Sequence, residues 1–218
     1  MNGNDPMSDR EDVSKRMRDH YEAFWKQGDP WDLERSGLDA YRYQRQAALV
    51  SDRRYARVLD VGCGAGQFTR LLADMSDELL ALDIAPAAVE CARQKCADKR
   101  NVSLLATNVM EFDPVAEGPW DLVVMSETIY CLGWLYPLFD IGWLVSRFHA
   151  ALRGDGRFLL VNTLGLETDY LLLPWLIRTY SDLFLNVGYE LEREEIFSGP
   201  KHGVELEVMM TLFSKGRA

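Results

Sequence analysis

The chain carries little with which to hold a metal, cross a membrane or grip a polyanion. Its 218 residues include three histidines and four cysteines. Cys63, Cys91, Cys96 and Cys131 form no C-x-x-C pair and have no histidine cluster beside them, so neither a structural metal nor a disulfide framework is expected, and a reducing cytoplasm is. An apolar N-terminal segment is missing, and the longest apolar run, from Tyr170 to Ile177, is followed at once by Arg178. That run is too short to span a bilayer, so no membrane partner is expected. Positive charge is scarce: 24 Lys and Arg stand against 34 Asp and Glu, a formal net charge of -10 at pH 7. Such a surface repels nucleic acid over most of its area, although ordinary solubility explains the acidity equally well. Internal repeats and low-complexity tracts are absent. What is abundant is apolar side chains, 48% of the chain, enough at this length to bury the core of one domain.

The chain is organised around residues 57–66. Val58, Leu59 and Val61 form an apolar run that ends in Gly62, Gly64 and Gly66 and passes through Gln67 and Phe68 into a helical segment. This reads as a buried parallel strand turning sharply into a helix. The glycines permit the tight turn and let a ligand approach the amides at the positive helix N-terminus. A dinucleotide fingerprint would need a further glycine at the position that Gln67 occupies. Asp60, inside the strand before the turn, would repel a pyrophosphate and welcome the ammonium of a methionyl group, which favours S-adenosylmethionine. The next strand ends at Asp83, where βαβ nucleotide folds place a ribose-binding acid. A Rossmann-like domain with a different nucleotide site remains the alternative.

In chain order, residues 1–10 look like a flexible start. Helical spacing begins near Glu11 and carries Val13, Met17, His20, Tyr21, Phe24 and Trp25 until Gly28 and Pro30 stop it; a second helix over 38–52 completes a helical cap of about 11–52. Tyr21 and Trp25 serve either to dock that cap or to line the cleft. Strands are expected at 79–84, 102–106, 120–126 and 157–163, with helices at 87–97 and 136–152. The stripe of the latter is Leu138, Ile141, Leu144, Val145, Phe148 and Leu152, with Asp140 and Arg147 off it and residues 153–156 as the turn that follows. His149 falls at the end away from the expected site. A leucine-rich segment over 166–187 is helical apart from Pro174, which starts or kinks it. Two alternating segments joined near His202 read as an antiparallel hairpin.

The Asp60-to-Gly66 pattern followed by the strand-terminal Asp83 resembles the class I S-adenosylmethionine-dependent methyltransferases. Five βα units and a terminal hairpin match that family's three-layer α/β, Rossmann-like fold, a mostly parallel seven-stranded sheet ending in an antiparallel hairpin. The Asp29-Pro30-Trp31 turn, Ser36 to Tyr41, and Ser126, Glu127, Tyr130 and Leu132 narrow the likeness to the nodulation-type N-methyltransferases, which methylate a free amine of a deacetylated chitooligosaccharide. Many class I members carry an acid after the third strand that accepts a hydrogen bond from the adenine amino group; this chain has Asn108, whose amide oxygen also accepts one, and which serves equally as a turn residue. The resemblance implies S-adenosyl-L-methionine as cofactor, leaving as S-adenosyl-L-homocysteine. Expected cofactor contacts are Asp60, Gly62, Gly64, Gly66, Asp83, Ile84, Asn108, Val109, Ser126 and Tyr21.

The fourth strand ends at Ser126 and Glu127, and ligands of doubly wound sheets gather at such carboxyl ends. Glu127 and Tyr130 are therefore catalytic candidates toward a small-molecule acceptor, with His20, on a helix expected to cover the cleft, as a further base candidate. Glu127 as a backbone-capping or cofactor-contacting acid, and Tyr130 as cleft lining, are the structural alternatives. The expected activity is methylation of an amino-sugar amine or a similar metabolite; O-methylation of a natural-product hydroxyl and a cofactor-binding protein without turnover are the alternatives. A monomer or homodimer is expected.

Overall fold

A computed structural model describes residues 6–166 and 169–216. In chain order the elements are α1 (Pro6–Trp25), α2 (Gly37–Val50), β1 (Tyr55–Val61), α3 (Gln67–Asp74), β2 (Ser76–Asp83), α4 (Pro86–Lys95), β3 (Val102–Ala106), the short α5 (Pro114–Glu117), β4 (Trp120–Ser126), α6 (Ile129–Leu135), α7 (Leu138–Ala151), β5 (Leu152–Leu164), α8 (Pro174–Val187), β6 (Tyr189–Lys201) and β7 (Val204–Lys215).

The seven strands lie in the order β3-β2-β1-β4-β5-β7-β6. β1 pairs in parallel with both β2 and β4, and β7 enters antiparallel beside β5. The order reverses at β1 and β4, so the crevice outside their carboxyl ends is the topological switch point. Alternation along β1 shows how the layers form. Val58 joins Leu122, Val124, Leu159 and Val161 in a cluster with Leu49 of α2 and Leu72 of α3. Leu59 and Val61 join Val123, Met125, Phe158 and Leu160 in a cluster with Phe148 of α7 and Phe184 of α8. Both faces of the central strands are thus dry, as their near-continuous apolar sequences require.

Local chemistry sets the element ends. Ser36 caps α2, its hydroxyl accepting the Asp39 amide at 3.2 Å. Pro86 and Pro174 open α4 and α8 in their first turns, and Gly188, at φ 115, closes α8. Pro174 therefore starts its helix and does not kink it. His202 and Gly203, at φ 51 and 80, make the two-residue turn between β6 and β7.

Four expectations need correction. Helix α1 starts at Pro6, so residues 6–10 of the flexible start expected at 1–10 are helical; residues 1–5 lie outside the described residues, as do 167 and 168 of the leucine-rich segment. The helix expected over 136–152 is α7, which runs only from Leu138 to Ala151, and Tyr136 and Pro137 separate it from a further helix, α6, over Ile129–Leu135 that the sequence pattern did not indicate. On α7, Asp140 is buried at 8% exposure while Leu138, in the first turn, is exposed at 57%, and Leu152 of the expected stripe is the first residue of β5. Residues 153–156, expected as a turn, lie within β5, where a register shift between Trp120 and Leu122 of β4 takes up the extra residues.

Candidate active site

The glycine turn sits at the switch point with all three glycines left-handed, at φ 76, 52 and 82 for Gly62, Gly64 and Gly66. Gly62 has a second reason to lack a side chain: a Cβ there would come within 2.1 Å of Thr128 Oγ1. Thr128 is fixed in turn, its hydroxyl directed at the carbonyls of Val61 and Ser126 at 3.2 and 3.0 Å. The turn after β1 and the turn after β4 are therefore pressed together, leaving backbone atoms on their open side.

Asp83 braces the turn from β2. Gly64 N–H donates to its Oδ2 and Ala85 N–H to its Oδ1, each at 2.9 Å. Desolvation raises its carboxyl above the ordinary range, against the pull of those backbone bonds. Each carboxylate oxygen retains lone-pair capacity for a ribose hydroxyl. Ile84, half-buried beside it, packs on the core. Asp60 is buried at 3% exposure and accepts a hydrogen bond from the Thr69 hydroxyl at 2.7 Å. Burial pushes its carboxyl up to about 6, with the Asp83 charge adding and the Thr69 bond opposing.

Helix α1 lies over this turn. Trp25 packs with Ala65, Ala85 and Ala88, Glu22 Oε2 accepts the Ala87 amide at 2.8 Å at the start of α4, and the Tyr21 hydroxyl lies beside Cys131. Burial keeps that phenol protonated and pushes the Cys131 thiol up to about 12. Farther up the helix, Ser14 Oγ accepts from Asn108 Nδ2 at 2.9 Å and donates to Glu111. Asn108 also donates to the Tyr136 hydroxyl at 2.7 Å and accepts the Met110 amide at 3.0 Å. Both amide protons are thus spent on tying α1 and Tyr136 to the β3 loop, and only the second lone pair of Oδ1 is left for an adenine. Val109 is buried in the core, so it can offer only its backbone.

At the end of β4 stands a buried ionic group. Glu127 has φ 56, an uncommon left-handed conformation for a glutamate and one that marks functional sites. Its Oε1 takes Arg42 Nη1 at 2.8 Å and the Thr163 hydroxyl at 2.9 Å, and its Oε2 takes the Tyr130 hydroxyl at 3.1 Å. Arg42 continues to Asp39 at 2.8 Å, and Asp39 to Lys201 at 2.6 Å. Burial alone would lower Arg42; the Glu127 and Asp39 carboxylates outweigh it and keep the guanidinium charged. Burial holds the Tyr130 phenol well above its ordinary value, so it remains a donor. His20, by contrast, is exposed on α1, its ring against Tyr21, Phe24 and Trp134. His149 packs its ring edge-on against Tyr189 at 4.7 Å, far along α7 from the residues that follow β4.

Sequence reasoning left Arg42, Gln46 and Thr163 without a role. Gln46 is fully buried; its Nε2 donates to Ser126 Oγ at 2.9 Å while its Oε1 has no partner. A usable signal existed: Leu38, Arg42, Gln46 and Leu49 fall on the inward stripe of α2, and a charge and an amide on such a stripe need a buried partner.

These observations test the fit of S-adenosylmethionine directly. A left-handed glycine turn offers backbone, Asp83 offers acceptors to a ribose, and a desolvated Asp60 suits a cation, the methionyl ammonium. The residues fit. A pH dependence follows from Asp60. Its folded value of about 6 lies above the unfolded value of about 3.9. Its contribution to apo stability is therefore full below the unfolded value and lost as pH rises through about 6. A bound ammonium reverses that sign, so the rise in Tm produced by S-adenosylhomocysteine should grow between about pH 5 and about pH 7. A thermal-shift series that is flat across this window would remove Asp60 from the cation's surroundings.

Fold and site together define a class, the α/β fold of the S-adenosylmethionine-dependent methyltransferases. The match to the nodulation protein S (NodS) family covers residues 14–160, and the chain belongs to that family. Nodulation protein S of Bradyrhizobium diazoefficiens strain USDA 110 is 31% identical over 105 residues, 48% of this chain and 49% of that protein. The chain spans about half the length of the curated relatives it matches first. Among solved structures, the N-methyltransferase NodS from Bradyrhizobium japonicum WM9 in complex with S-adenosyl-l-homocysteine superimposes with a TM-score of 0.78 at 20% identity, covering 91% of this chain and 97% of that one. The 1,6-didemethyltoxoflavin-N1-methyltransferase of Burkholderia thailandensis gives 0.68 at 19% identity, over 95% and 90% of the two chains. At these identities the superpositions establish the fold.

Proposed function

We propose that the chain transfers a methyl group from S-adenosyl-L-methionine to the amine of an amino sugar or a related small metabolite. The observation that carries this is the bonded Glu127 at the carboxyl end of β4, one strand from Asp60 and two from Asp83. Residues 11–218 act as one domain, with 11–52 as its cap. In the proposed cofactor set, Asp60 meets the ammonium, Asp83 the ribose, and Gly62, Gly64 and Gly66 the chain between them. Ile84, Asn108, Val109, Ser126 and Tyr21 enclose the rest.

When bound, the cofactor supplies a methyl group already activated on a sulfonium. The protein's task is then alignment, exclusion of water and removal of a proton from an amine that arrives charged near neutral pH. Glu127 already accepts three hydrogen bonds, and protonating it would break the Arg42 pair. Its proposed role is therefore to orient the amine through an N–H, with the Tyr130 oxygen as a second acceptor. His20, linked to α6 through Trp134, is the remaining proton acceptor of the set. The four cysteines are unpaired, as in a reducing cytoplasm, where we place the protein as a monomer or homodimer. No helix among the described residues is long and apolar enough to cross a membrane.

The test is a product assay with S-adenosylmethionine and paired amine and hydroxyl acceptors. The expected result is an N-methylated amine, with kcat lowered about a hundredfold in Glu127→Gln and affinity for S-adenosylhomocysteine retained. A product methylated on oxygen would select the O-methyltransferase reading, and binding without any turnover the non-catalytic one.

A further inference from the structure

Of the two carboxylates that share Arg42, Glu127 is the more open: its side chain is 19% exposed, that of Asp39 2%. Its oxygens are unequally used. Oε1 takes both Arg42 Nη1 and the Thr163 hydroxyl, whereas Oε2 takes only the Tyr130 hydroxyl among the described residues. A carboxylate oxygen has two lone-pair positions, so Oε1 is filled and Oε2 keeps one for an N–H of the acceptor.

Behind Glu127 the charges alternate. Arg42 Nη2 reaches Asp39 at 2.8 Å and the Tyr43 hydroxyl at 3.4 Å, and Asp39 meets Lys201 of β6 at 2.6 Å. Two carboxylates and two cations make up this row, and their formal charges cancel. A planar guanidinium suits the bridging place because its donors point in fixed directions and it stays charged.

This balance acts on the acceptor. An unpaired carboxylate would hold an arriving amine as ammonium, which has no lone pair for attack; beside a carboxylate already paired, the ammonium gains less. The other groups facing this point stay uncharged. Burial holds the phenols of Tyr43 and Tyr130 above their ordinary range, as it does that of Tyr21, and pushes the Cys131 thiol up to about 12. His20 of α1 packs on Trp134, and Asp60 and Asp83 lie with the cofactor in the reading above.

We propose that Arg42 is a positioning residue for methyl transfer: it turns Glu127 so that Oε2 faces the acceptor, and it cancels the carboxylate's charge so that the acceptor binds as the uncharged, nucleophilic amine. The proposal deepens the amine-methylating reading above and rests on it.

The experiment follows single-turnover N-methylation of glucosamine from about pH 6 to about pH 9, where the rising limb reports loss of the amine proton. It uses saturating S-adenosylmethionine and compares the wild type, Arg42→Gln, Arg42→Lys and Lys201→Met, with S-adenosylhomocysteine affinity measured alongside and expected to be unchanged. Arg42→Gln leaves Glu127 charged and unbalanced, so the limb should move up by about one pH unit and the rate at about pH 7 should fall about tenfold or more. Arg42→Lys keeps the charge but not the fork: its limb should stay with that of the wild type while the rate falls. Lys201→Met, at the far end of the row, should move the limb the same way by about half as much, and decides the matter if the glutamine variant does not fold. A limb that stays in place in Arg42→Gln or, where that variant does not fold, in Lys201→Met would overturn the proposal and leave Arg42 a structural residue. A wild type that binds S-adenosylhomocysteine yet methylates no amine overturns the acceptor reading itself, and this proposal with it.

Discussion

Replacing Arg42 with methionine is expected to destabilise the protein by about 3–5 kcal/mol in urea unfolding, the loss seen when one partner of a buried ion pair is removed. The Arg42 and Asp39 side chains are 5% and 2% exposed, and that of Glu127 is 19%. Without the guanidinium, Glu127 keeps its bonds from Thr163 and Tyr130, and Asp39 keeps Lys201, so the loss should fall toward the lower end of that range. Glu127→Gln in the same chain should recover part of it, since the charge left unpaired is then gone. Arg93 supplies the control: its pair with Glu90 has both side chains more than half exposed, and Arg93→Met should change stability by no more than about 0.5 kcal/mol. Equal effects at the two positions would mean that the group behind Glu127 is solvated.

Much of the architecture could be read from residue order. The apolar run of Val58, Leu59 and Val61, the glycines after it and Asp83 one strand later place the switch point, and the alternation of the last two segments places the hairpin. Elements governed by context were harder. Ile129–Leu135 carries no strong stripe, and the break before α7 comes from Pro137, which disfavours helix in the residue before it. The glycines at 154 and 156 signal a turn, yet a bulge against β4 absorbs them inside β5. The site divided in the same way. Asp60, Asp83, Glu127 and Tyr130 follow from strand ends, where position along a strand and position at the ligand crevice coincide. The Arg42 and Gln46 contacts join α2 to residues 80 or more positions away in the chain. Asn108 shows the opposite case: its place was legible, but its bonds to Ser14 and Tyr136 depend on how α1 docks.

The second large effect concerns Asp83. Its carboxylate anchors the amides of Gly64 and Ala85, so it shapes the turn as well as offering acceptors to a ribose. Asp83→Ala loses both functions, whereas Asp83→Asn keeps the size and one oxygen and should lie between alanine and the wild type. Asp98, exposed and paired with Arg70 at the surface, should be replaceable by alanine without change in binding. Calorimetric titration of S-adenosylmethionine and S-adenosylhomocysteine into the wild type and Asp83→Ala tests the central claim most directly. The account predicts that the wild type binds both and that the variant is weaker by about 1.5–3 kcal/mol, more than about tenfold in affinity. Binding of NAD by the wild type, with neither methionyl nucleoside bound, would contradict the cofactor assignment and every role built on it.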